Sequence, residues 1–124
     1  MINFAEEFRN RTKKFAVDII IYCRTLPKSE ESYIIKKQLI RSVTSVAANY
    51  RAVCRARSDA EFYSKLCIVV EESDESVFWL ELIKESEILN AISTDNLLNE
   101  ANEILKIVSK SKKTIKDKKT EKLN

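Results

Sequence analysis

Glycine is absent from this 124-residue chain, and Pro27 is its only proline. Tight turns with positive φ and hairpin loops lean on glycine, so an all-β or α/β fold would be hard to punctuate. The same absence excludes a P-loop and a Rossmann turn, both of which need glycine where backbone approaches phosphate. Histidine is absent too. With it go the commonest general base, the usual partner of a Ser or Cys nucleophile, and the imidazole ligands of most catalytic zinc sites. The three cysteines, Cys23, Cys54 and Cys67, stand far apart with no C-x-x-C spacing. An odd number so placed suits a reducing compartment in which thiols pack as small hydrophobes. Long hydrophobic runs are also missing. The most apolar stretch, Phe15 to Cys23, is broken by Asp18 and falls far short of the roughly 20 residues a bilayer needs. The first residues show no basic region ahead of an apolar run. These absences point to a cytoplasmic, non-catalytic chain with no cofactor, no metal and no small-molecule substrate.

What is present is helical periodicity. With 44% hydrophobic residues the chain has enough apolar side chains for one core. Phe8, Phe15, Ile19, Tyr22 and Leu26 form one stripe over a first segment from Phe4 to Arg24, closed by Pro27. Ser29 is a plausible N-cap for a second segment, Glu30 to Arg55, striped by Ile35, Leu39, Val43, Val46, Tyr50 and Val53. Ser58 to Glu61 reads as a capping box opening a third segment that runs to Leu89. Two serines, Ser73 and Ser76, fall in its stripe and mark a place where helices approach closely. Thr94 and Asp95 offer caps for a fourth segment ending near Lys113. Four amphipathic segments with short links predict an all-α, antiparallel up-down-up-down four-helix bundle. The bundle is expected over residues 1–113, with 114–124 a basic tail that is partly frayed.

Apolar residues exceed one face in two places. Phe15 to Cys23 covers most of the first helix's circumference, and Leu66 to Val70 with Val77 to Leu80 does the same on the third. Large apolar patches are uncommon on monomers, so the surplus predicts a homo-oligomer with Phe78 and Trp79 as candidate anchors. The alternative is a monomer whose long helices bury two faces each.

The charges divide into acidic and basic clusters. Glu71, Glu72, Asp74 and Glu75 lie close together on the third segment. A di-metal bundle would also want Glu-x-x-His motifs, and there is no histidine, so a carboxylate metal site is a remote alternative. Antiparallel matching about a turn near residue 57 sets Arg41 level with Ser73, within reach of Glu72 or Glu75. The expected product is an interhelical ion pair. Asn49, beside Ala47 and Ala48, is either a buried polar group that specifies register or a solvated amide. Lysines 110, 112, 113, 116, 118, 119 and 122 give residues 110–124 a net charge of +5, leaving the preceding 109 at −2. Arg51, Arg55 and Arg57 form a second basic cluster. The candidate nucleic-acid contacts are therefore Arg51, Arg55, Arg57, Lys110, Lys112, Lys113 and Lys116. Neither cluster interleaves aromatics that stack on bases, so binding would be led by phosphate contacts. A solvated tail is the alternative.

The segment Ser45-Val46-Ala47-Ala48-Asn49-Tyr50-Arg51-Ala52 and the following Cys54-Arg55-Ala56-Arg57-Ser58 resemble a known family. So do Glu61-Phe62, Lys65-Leu66, and Val70 to Glu75 leading to Phe78-Trp79-Leu80-Glu81. Together, over residues 30 to 90, they are similar to the bacterial four-helix-bundle proteins named after 23S ribosomal RNA intervening sequences. The resemblance implies a homo-oligomer, a pentamer in relatives, and no enzymatic activity. It also implies similarity to the accessory protein of diversity-generating retroelements, a pentameric bundle with a nucleic-acid-binding role. The motif positions carried over are Asn49, Arg51, Arg55, Glu71, Glu72, Asp74, Glu75 and Trp79. An oligomeric protein associated with RNA or other nucleic acid is the leading expectation, and a protein-interaction scaffold the alternative.

Overall fold

The computed structural model describes residues 3–123; Met1, Ile2, Asn124 and the side chains from Lys119 onward, including that part of the basic tail, lie outside the described residues. Four helices follow in order: α1 (Phe4–Cys23), α2 (Glu30–Cys54), α3 (Asp59–Glu85) and α4 (Ile92–Leu123). Their starts have local causes. Asn3 Oδ1 accepts from the Glu6 amide at 2.8 Å, Ser29 Oγ from the Ser32 amide at 3.2 Å, and Ser58 Oγ from the Glu61 amide at 3.1 Å. Each side chain satisfies one of the unpaired amides of a first helical turn. The capping box at Ser58 closes only halfway, because Glu61 reaches the amide of Arg57 at 3.5 Å.

Helix ends are where the absence of glycine shows. α3 stops at Glu85, four residues short of the expected Leu89, and Glu87 takes φ 60 beyond it. That left-handed position usually belongs to glycine, and a side chain there costs roughly 1–2 kcal/mol. α4 begins at Ile92, ahead of the expected Asp95, and Thr94 is not its cap. Thr94 is buried instead, its hydroxyl 2.6 Å from the Tyr22 hydroxyl of α1. At the other end α4 continues ten residues past Lys113, so no helix boundary separates the bundle from the tail.

Neighbours in sequence pack as neighbours in space, α1 on α2, α2 on α3 and α3 on α4, with a thinner contact from α4 back to α1. This is an antiparallel up-down-up-down four-helix bundle. The α1–α4 seam is held by the Tyr22–Thr94 bond and by Arg11, whose guanidinium donates twice to Glu100 at 2.9 and 2.6 Å. The core comes from the stripes: Phe8, Phe15, Ile19 and Tyr22 of α1 meet Leu39, Val43, Val46 and Tyr50 of α2. Leu66, Val69, Leu80 and Ile83 of α3 meet Ala101, Ile104 and Val108 of α4. At the α2–α3 seam Ser42, Ser73 and Ser76 are buried, and the hydroxyls of Ser42 and Ser76 lie 3.0 Å apart. Small side chains there let the two backbones come close.

Candidate nucleic-acid interface

The outward seam between α1 and α2 is a groove of about 450 Å³. Its floor is small: Ala16 from α1, and Thr44, Ala47 and Ala48 from α2. Its rim is cationic. Arg9 and Lys13 stand one helical turn apart on α1, and Arg51, in the last turn of α2, is followed one turn later by its C-cap Arg55. No carboxylate lines the groove, and none of these four cations makes an ion pair among the described residues. Four positive groups without an ion-pair partner among the described residues thus border a channel whose floor holds only small side chains.

Two of the sequence's candidates, Arg51 and Arg55, are thus joined by two residues that sequence reasoning missed. Arg9 and Lys13 are about forty residues from the arginines in sequence and meet them through the packing of α1 on α2. Level-matching of the kind that set Arg41 beside Ser73 does not find them, because counting from the turn at Pro27 sets Arg9 opposite Ser45, nearly two helical turns short of Arg51. Arg57 does not line the groove; it is exposed, beside Glu61 at 3.9 Å. Lys110, Lys112, Lys113 and Lys116 lie on the last third of α4, at the bundle end where α2 finishes. They share that end with the groove's arginines, though the groove does not include them. The net charge of the first 109 residues, read as mildly acidic, hides this division. Residues 1–58, which build α1 and α2, carry +7, whereas residues 59–89 carry −7.

The acidic cluster is engaged on the other side of α2. Arg41 donates to Glu75 at 2.5 Å, to Glu72 at 3.2 Å and to Gln38 Oε1 at 3.1 Å. Trp79 Nε1 donates to the second Glu75 oxygen at 3.3 Å. The Arg41 guanidinium holds the Glu75 carboxyl below its ordinary range, aided by Trp79. Burial pushes the neighbouring Glu72 carboxyl up, with Arg41 opposing. Glu71 and Asp74 are exposed. Among the described residues no group of three or more His, Cys, Asp or Glu side chains converges as metal ligands would. Asn49 is half-buried and bonds within its own helix, donating to the Ser45 carbonyl at 2.9 Å and to its hydroxyl at 3.0 Å. Among the described residues its hydrogen bonds thus stay within α2. Burial raises the Cys23 thiol to about 11, which leaves it protonated near neutrality and unsuited to nucleophilic work.

A small antiparallel bundle with a cationic outer groove is the class of protein that fold and site define. The sequence profile of the 23S rRNA-intervening sequence proteins matches residues 6–110, and the chain belongs to that family. It is similar to a crystal structure from Bacteroides thetaiotaomicron, described as a protein of unknown function from the S23 ribosomal protein family. The two share 31% identity and a TM-score of 0.77, over 85% of this chain and 97% of that one. No curated protein matches. Among the described residues no helix is long and apolar enough to cross a membrane.

Proposed function

We propose that this protein is a non-catalytic RNA-associated bundle that holds an RNA segment by its sugar–phosphate backbone in the α1–α2 groove. The observation that carries the reading is the set Arg9, Lys13, Arg51 and Arg55, four cations bordering one channel with no ion pair among the described residues. Arginine is suited to bidentate phosphate contact, and phosphate contacts position a nucleic acid without reading its sequence. No aromatic side chain lines the groove, so bases gain no stacking platform and sequence preference is weak. The lysines of α4 extend the positive field at the same end of the bundle. The family's name associates it with 23S rRNA, which favours RNA over other polyanions. A filter-binding titration with structured RNA at 50 and 200 mM salt tests this. Four phosphate contacts predict roughly a fiftyfold loss of affinity between the two. Binding that is absent at low salt, or indifferent to salt, overturns it.

The same reading includes self-association. Val17 and Ile21 on α1 are 47% and 51% exposed, and Tyr33 and Ile34 at the start of α2 are 62% and 53% exposed. By position along the antiparallel helices Ile21, Tyr33 and Ile34 lie toward the bundle end opposite the groove's arginines, and Phe78 is exposed on α3. Such surface is ordinarily covered by a partner. Assembly through it leaves the basic end open. Light scattering at micromolar concentration is expected to give a multiple of 14.4 kDa; the single-chain mass would remove this element.

A further inference from the structure

At the bundle end that carries the basic residues, the four helices leave a cleft of about 550 Å³, within the range of small-molecule sites. Its walls are apolar: Phe4 from α1, Tyr50 from α2, Phe62 and Leu66 from α3, and Ile107 and Ile115 from α4. Along α4 these walls run for eight residues, roughly 12 Å. Tyr50 is buried there, and that burial pushes its hydroxyl up to about 12. The polar groups are few and mostly spent. Ser111 and Thr114 donate to the carbonyls of Ile107 and Lys110, each at 3.0 Å. Lys110 is the sole charged residue among the described lining, and it makes no ion pair there.

We propose that this cleft binds a medium-chain carboxylate, its hydrocarbon against Phe62, Leu66 and Ile107 and its head paired with Lys110. One cation at the mouth of an apolar slot matches one monoanionic head on an apolar chain. A nucleotide would bring several anionic and base hydrogen-bonding groups, for which the walls offer no partners. The site is separate from the α1–α2 groove and shares no lining residue with Arg9, Lys13, Arg51 or Arg55.

Calorimetric titration of the full chain with decanoate is the test. One decanoate per chain is expected. Lys110→Ala weakens it about tenfold or more, the scale of a charge-assisted hydrogen bond, and leaves decanol binding unchanged. Thr114 is exposed at the mouth, so Thr114→Trp fills the cleft and abolishes binding while the melting temperature holds. Arg51→Gln with Arg55→Gln leaves decanoate binding intact, which separates this site from the groove. Non-stoichiometric uptake, indifference to both Lys110→Ala and Thr114→Trp, or exclusion of decanoate by a second copy seated on the cleft each overturns the proposal.

Discussion

Helix α2 presents arginines to two neighbours, and the two outcomes differ. Toward α3, Arg41 meets Glu72 and Glu75 and is further held by Gln38. Toward α1, Arg51 and Arg55 meet Arg9 and Lys13 across a groove with no carboxylate. One residue type on one helix is architecture on the first side and unneutralised charge on the second. An arginine's meaning lies in what faces it, and the facing residues come from a different stretch of chain.

The largest effect expected from breaking this contrast is on the open side. Arg51→Glu with Arg55→Glu should lower RNA affinity by about a hundredfold at low salt, measured by filter binding. Its stability should stay within about 0.5 kcal/mol of the parent, because neither side chain makes an ion pair among the described residues. On the closed side the reverse holds. Ser76→Leu at the buried α2–α3 seam should cost about 1–3 kcal/mol in urea unfolding, since the added methylenes have no space. RNA affinity should not move.

The closed side was the more legible in sequence. Stripes of period 3.6 located the core, and antiparallel matching placed Arg41 beside the carboxylates because both helices keep their register from a short turn. The open side was half legible. Arg51 and Arg55 stood out as neighbours in sequence, whereas Arg9 and Lys13 lie about forty residues away and join them only through packing. Summing charge along the chain concealed them, because α3's carboxylates cancel the excess that α1 and α2 carry. Helix ends failed for another reason. With no glycine to mark a stop, Glu87 adopts the left-handed turn after α3, a choice sequence does not announce. Thr94 looked like a cap but turns inward to Tyr22, a partner supplied by the bundle alone. Asn49 spends its amide on Ser45 one turn back, a local bond that its small neighbours did not suggest.

Smaller effects sharpen the contrast. Arg41→Met should cost up to about 1 kcal/mol, little for an ion pair because the side chain is partly exposed and screened. Its cost should depend on pH. Glu75 is held below its ordinary range in the folded chain, so its contribution is present above the unfolded carboxylate pKa and lost as pH falls through the folded one. Glu72 acts oppositely, being raised by burial: ionising it costs stability as pH climbs from its unfolded to its folded value. Comparing Glu75→Gln with Glu72→Gln across acid unfolding should show penalties of different pH dependence. A shared profile would mean that the pair does not differ in environment. Arg57→Ala is expected to have the least effect, within about 0.5 kcal/mol in stability and a small change in RNA affinity. Arg57 is exposed and stands outside the groove.

The most direct measurement is the salt dependence of RNA binding for the parent and for Arg51→Gln with Arg55→Gln. Removing two of four groove contacts should halve the groove's share of the slope of log affinity against log salt, lowering it by about 1.4. An unchanged slope would mean that phosphates do not lie between α1 and α2, and the functional reading would fall with it.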